Sequence, residues 1–228
     1  MSDADAETMR LFGVQYWQPG ERGIYRATPG RDAYYYEAYV GEHLGIEIEG
    51  GDSLVLLAEG RVRVDWLRGF GQRGDCRRAN SRHFAVKFRG FMPDERTREL
   101  TDYRPLPYVN GCATKQLFPP DRLGDPTLQY LDIPPHSAEQ AHHIHSTPRV
   151  VYILRGRGIS DVGMEGRSVR TELVEGMVCL LEAMCPHHFE TPQGEHLVCM
   201  PVHVFSSAGA AEFNHPMFNG THLMNQGG

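Results

Sequence analysis

His142-His143-Ile144-His145-Ser146-Thr147-Pro148-Arg149-Val150-Val151-Tyr152-Ile153-Leu154 is the stretch on which the fold turns. It reads as a strand pair or one bent strand, closed by Arg155-Gly156-Arg157-Gly158. On a strand, residues i and i+2 point to the same side. His143 and His145 would then present two imidazoles about 6–7 Å apart on one face, a pair able to converge on a single ion. A second histidine-bearing segment, His187-His188-Phe189-Glu190-Thr191, follows about forty residues later. Of twelve histidines, nine lie between 136 and 215.

Working outward, the same rhythm recurs. Thr127 to Asp132, Ser168 to Glu175, Met177 to Leu181 and His196 to Phe205 are short β-type runs separated by turn residues. Six to eight short strands without a long amphipathic helix describe a jelly roll or small barrel over residues 105–213. Residues 1–104 are also β-rich. Ile46 and Ile48, then Val62, Val64 and Trp66, then Phe84, Val86 and Phe88 alternate with polar or small neighbours. Asp94 to Leu100 is read as one or two helical turns. Residues 104–128 are a proline-rich connector or the entry strands of the second unit. Residues 214–228 are read as a tail. The chain is thus expected to be all-β. Its first region is either a degenerate half of the same kind or an extension wrapping the barrel.

The histidine spacing resembles the cupin superfamily. That family's first motif runs G-x5-H-x-H-x3,4-E-x6-G, and this sequence supplies His143, His145, Arg149 and Gly156 at those intervals. The second motif runs G-x5-P-x-G-x2-H-x3-N, and here stand Gly176, Glu182, Met184, His187 and Thr191. The resemblance implies a cupin-type jelly-roll β-barrel binding one divalent metal through His143, His145 and His187. It also implies a homodimer. The family's glutamate ligand is replaced by Arg149, which is cationic and has no lone pair to give. The resemblance therefore points to a three-histidine site with open positions, as in the thiol dioxygenases. Arg149 would be a fork for a substrate carboxylate. The alternative is a bulge after Pro148 that turns it to solvent.

Other residues are assigned by alternation. His142 and His188 point away from the metal. His203, and with it Tyr152, is a proton-transfer candidate. Gln129, Tyr130, Cys199 and Glu182 could line the cavity. Glu139, in the loop before His143, is read as solvated, with a replacement carboxylate ligand as the alternative. Cys185 would share a face with His187 but is read as a buried thiol.

Composition narrows the function. The net charge of −6, from 23 basic and 29 acidic residues, gives nucleic acid little to hold. Five cysteines without a CxxC pair support neither a disulfide framework nor a zinc ribbon. No apolar run reaches the roughly 18 residues of a membrane span, and the acidic start lacks a signal pattern, so a cytoplasmic protein is expected. No phosphate loop or nucleophile elbow is present. The expectation is a metal-dependent enzyme on a small polar or anionic metabolite. Fe(II) dioxygenation is favoured, with Zn, Ni, Cu or Mn as other metals that neutral histidines suit. The alternatives are a redox-neutral Lewis-acid isomerase, lyase or cyclase, and a non-catalytic ligand-binding cupin.

Overall fold

Nearly every alternating run becomes an antiparallel strand. The structure is a computed structural model that describes residues 2–28, 34–69, 76–100, 105–122, 124–192 and 194–205; the expected tail over 214–228 lies outside them. One large sheet runs in the order Val14–Trp17, Val178–Leu181, Arg149–Met164, Leu197–His203, Thr127–Ile133, Ala113–Phe118 and Leu106–Pro107. Three further strands, Arg167–Val174, His187–Thr191 and Ser137–Ala138, branch from the far end of Arg149–Met164 and form the opposing layer. The sheets do not close hydrogen bond by hydrogen bond, so the jelly roll is a sandwich rather than a sealed barrel.

A second, six-stranded sheet comprises Gly23–Arg26, Tyr36–Val40, Phe84–Arg89, Asp52–Leu57, Arg63–Arg68 and Arg96–Glu99, in that order. The antiparallel pair His43–Glu49 and Cys76–Ser81 forms a separate two-stranded sheet. The first strand, Val14–Trp17, pairs with Val178–Leu181 and so belongs to the large sheet despite its place in the chain. It is led in by the helix Asp3–Phe12, which has a reciprocal Ser2–Asp5 capping box and ends at Gly13 in the left-handed region. The segment read as helical turns near 94–100 is instead the edge strand Arg96–Glu99, paired to Arg63–Arg68. Partnering across a sheet overrides the weak local preference there.

Three cores result. The largest joins the two big sheets: Trp66, Phe84, Phe88 and Phe91 from one meet Phe118, Tyr130 and Tyr152 from the other. Trp66 lies edge-on to Phe118 at 5.4 Å and Phe84 stacks on Tyr152 at 5.7 Å. Such aromatic pairs add about 0.5–1.5 kcal/mol each beyond burial. A second core, with Val151, Ile153, Val162, Leu173, Cys179 and Phe189, fills the C-terminal sandwich. A smaller third core, around Ile46, Ile48, Leu54 and Leu56, lies under that two-stranded sheet.

The strand Arg149–Met164 does not stop at its glycine run. Residues 149–153 pair with Val178–Leu181 and Leu197–His203, while residues 157–164 pair with Arg167–Val174. The register slips between Ile153 and Arg155, a bulge that turns the strand from one layer to the other. Gly156 sits just past it with φ 82°, and a Cβ there would stand 1.9 Å from the carbonyl oxygen of His196. Gly156→Ala should therefore lose about 1–3 kcal/mol of stability, read as a lowered urea midpoint. An unchanged midpoint would show that the bend is not fixed by this contact.

Candidate metal centre

His143 and His187 face each other across a two-bond antiparallel bridge. His143 N donates to His187 O at 3.1 Å, and His187 N donates to His143 O at 2.9 Å. Only His187 lies in a regular strand, His187–Thr191. The His-x-His segment is not the strand that alternation predicts, because regular pairing begins at Arg149, after Pro148. It is pinned instead by this bridge and by Met184 N, which donates to His145 O at 2.6 Å.

The rings converge. Nε2 of His143 lies 2.6 Å from Nε2 of His145, and the three ligand-capable nitrogens of His143, His145 and His187 all fall within 4.8 Å of one another. This is the one such group among the described residues. His143 Nδ1 donates to Ala141 O at 2.8 Å, and His187 Nδ1 donates to Cys185 O at 2.8 Å. Fixing the proton on Nδ1 leaves the Nε2 lone pair pointing inward, which is how metal-ligating histidines are oriented. Burial disfavours the imidazolium: His143 is lowered, and His145 and His187 are pushed down to about 3, by desolvation first and then by the positive charge of Arg149. Neutral, inward and convergent nitrogens fit a divalent metal.

Arg149 does not turn to solvent. Its Nε donates to Nδ1 of His203 at 3.0 Å, and its Nη1 lies 3.3 Å from Nε2 of His187. Strand pairing puts Arg149 directly opposite His203. With Nδ1 accepting, the His203 proton sits on Nε2, which donates to Gln129 Oε1 at 2.9 Å. Burial first, then Arg149, holds the His203 imidazole well below its ordinary pKa. These groups line a cavity of about 330 Å³, with Tyr108, Thr114, Gln140, Val151, Phe189 and Cys199 among its other walls.

Tyr152 is not among them. It is three residues from Arg149, an odd step along a strand, and so faces the inter-sheet core against Phe84. Tyr130 lies in the same core, and Glu182 accepts instead from the Tyr25 hydroxyl outside the cavity. Glu139 corrects the sequence reading in the other direction. It is buried, lines the cavity, and accepts from Phe189 N at 3.3 Å, although the loop around it looks solvated in sequence. Desolvation pushes its carboxyl up to about 7, against the pull of Arg149. The available signal was pairing: Ser137–Ala138 forms a short strand with Glu190 and Thr191, which draws Glu139 inward. Glu139 does not fall in the three-histidine group. Cys185 is a buried thiol pushed up to about 12, chiefly by desolvation, and it does not join that group either. His142 and His188 touch each other through their Nδ1 atoms at 2.8 Å, and His142 Nε2 donates to Gly163 O at 2.6 Å, away from the three inward nitrogens.

Single replacements His143→Ala, His145→Ala and His187→Ala should each lower metal content by an order of magnitude or more, whereas Tyr152→Phe should leave it unchanged; elemental analysis after loading and desalting decides. The histidines also set a pH dependence. Because folded His145 and His187 titrate near 3 rather than 6.5, the unfolded chain binds more protons between those values. Stability of the metal-free protein is therefore full above about 6.5 and falls as pH drops toward 3. His145→Gln combined with His187→Gln should flatten the fall in urea midpoint from pH 7 to pH 5; an unaltered slope would refute that origin.

Residues 129–204 match the Cupin_2 family, described as a cupin domain. No curated protein matches the sequence. Among solved structures, protein Ylba from E. coli is similar in fold at 13% identity and TM-score 0.51, covering 82% of this chain and 85% of that one. The putative glyoxylate induced protein from Pseudomonas aeruginosa aligns at 14% identity and TM-score 0.49, over 78% of this chain and 79% of that one. The polyketide cyclase RemF from Streptomyces resistomycificus aligns at 20% identity and TM-score 0.39, over 54% of this chain and 94% of that one. Residues 129–204 thus match a cupin domain, and the three histidines that the two motifs select are the three that the fold brings together.

Proposed function

We propose that the protein is a metal-dependent enzyme acting on a small polar or anionic metabolite, with Fe(II)-dependent dioxygenation as the favoured chemistry. The observation that carries the reading is a cavity of about 330 Å³ lined by His145, His187 and the largely buried guanidinium of Arg149, with His143 completing the convergent three-histidine group. His143, His145 and His187 would hold the ion and leave positions free for other ligands. A bound metal would polarise a substrate oxygen or, as Fe(II), bring substrate and dioxygen together. Arg149 would orient an anionic group, and His203 would hold Arg149 while keeping its own proton on Nε2.

A second reading, a Lewis-acid isomerase, lyase or cyclase, is favoured by one feature. Glu139 is a buried carboxyl with a pKa raised to about 7. Such a group exchanges a proton readily near neutrality, which redox-neutral chemistry needs. Purification without oxygen, followed by metal analysis and oxygen uptake with a series of small carboxylates, separates the two. Stoichiometric iron and substrate-dependent oxygen uptake are expected. Bound metal with no oxygen uptake, together with substrate turnover that stops in Glu139→Gln, would overturn the dioxygenase reading in favour of the second.

A further inference from the structure

Two imidazoles hold Arg149, and no carboxylate within 4 Å pairs with it among the described residues. One of its two contacts, 3.3 Å from Nη1 to His187 Nε2, is aimed at the lone pair that a metal would take. Guanidinium and metal therefore compete for one nitrogen. They also repel, because three neutral histidines bring no negative charge to a dication. Arg149 is largely buried, where charges are poorly screened and repulsion between neighbours is strongest. The burial is visible in the lowering of its own pKa to about 10. Glu139, the carboxyl lining the same cavity, offsets this only in part, since one of its oxygens is bound to Phe189 N and its pKa is raised to about 7.

The cavity thus lacks one negative charge once a metal is added, and the missing charge belongs between the ion and the guanidinium. We infer that metal and a small carboxylate occupy this site cooperatively: the carboxylate places one oxygen on the metal and the other on Arg149, and each partner tightens the other's binding. The inference rests on the metal-site reading above and deepens it by naming the ligand class. Planar carboxylate and planar guanidinium match as a fork, and an Arg149 engaged in that way gives up the His187 lone pair. Linkage makes the effect reciprocal, so the carboxylate also binds weakly when no metal is present.

The test uses Co²⁺ as the metal, acetate as the carboxylate and acetamide as its neutral counterpart. Metal-stripped protein is titrated with Co²⁺ in chloride buffer and in acetate buffer of equal ionic strength, and visible absorption reports binding. Acetate should tighten Co²⁺ binding about fivefold or more, and acetamide should not. Arg149→Gln should bind Co²⁺ more tightly than the parent in chloride and lose the acetate effect. Glu139→Gln should do the reverse, with weaker binding in chloride and a larger acetate effect. Arg149→Lys, which keeps the charge without the fork, should retain part of the effect and decides the matter if Arg149→Gln does not fold. A merely structural Arg149 predicts the opposite sign: folded Arg149→Gln would bind Co²⁺ no better than the parent. That result, or Co²⁺ binding by the parent that is indifferent to acetate, overturns the inference while leaving the metal site standing. A parent protein that binds no Co²⁺ overturns both.

Discussion

The chemistry of this fold depends on one short antiparallel bridge, between the main chains of His143 and His187. Two hydrogen bonds of 3.1 and 2.9 Å tie an irregular loop to the strand His187–Thr191. Without them the loop would be held at His145 by Met184 N but not at His143, and its ring would have no fixed relation to the third histidine. The main chain sets the tautomers as well. Main-chain carbonyls of Ala141 and Cys185, each two residues before its histidine, accept from Nδ1 and aim both Nε2 atoms at the same point. A ligand set is thereby oriented by backbone rather than by side chains, and backbone geometry is less sensitive to sequence.

The second constraint is electrostatic. A superfamily motif that expects glutamate after the paired histidines has Arg149 instead, and the fold does not put that charge outside. It places the guanidinium against His203 and His187. The imidazoles of His145, His187 and His203 are pushed down and the carboxyl of Glu139 is pushed up, with desolvation the largest cause in each. Cys199, on the cavity wall, is raised well above its usual value by the same burial. It is therefore a packing thiol rather than a nucleophile at neutral pH. The arginine is the one cationic side chain on the cavity wall among the described residues, with the carboxyl of Glu139 opposing it only in part.

The strand pattern, the match to a cupin domain and the three histidines that converge are legible in the sequence, because period-two alternation and motif spacing are local signals. What was not legible required pairing information. Gly156 looked like the end of a strand, but its bulge bends a sixteen-residue strand from one layer to the other. Tyr152 was joined with Arg149 as a site residue, yet an odd separation on one strand forbids it. Parity alone could have excluded that assignment. Glu139 looked solvated because its neighbours are polar, and only the Ser137–Ala138 pairing to the ligand strand reveals its burial. The helix Asp3–Phe12 has a readable signature in Ser2 with Asp5 three residues on, the reciprocal cap of its first turn.

Tyr152 has a different importance from the one alternation suggested. The strand that supplies Arg149 has two faces and two duties: Arg149 and Val151 face the cavity, while Val150 and Tyr152 are buried in the core between the large sheets. The six-stranded sheet of the first hundred residues supplies the other half of that core, through Phe84 against Tyr152 and Trp66 against Phe118. Further ties come from Val14–Trp17, which extends the large sheet, and from the Tyr25 hydroxyl, which donates to Glu182 beyond the end of Val178–Leu181. Val178–Leu181 is itself paired to residues 149–152. The N-terminal sheet therefore backs the segment that carries the guanidinium. The largely buried guanidinium is thereby held from behind, and close-packed aromatics hold position better than a solvated sheet face would.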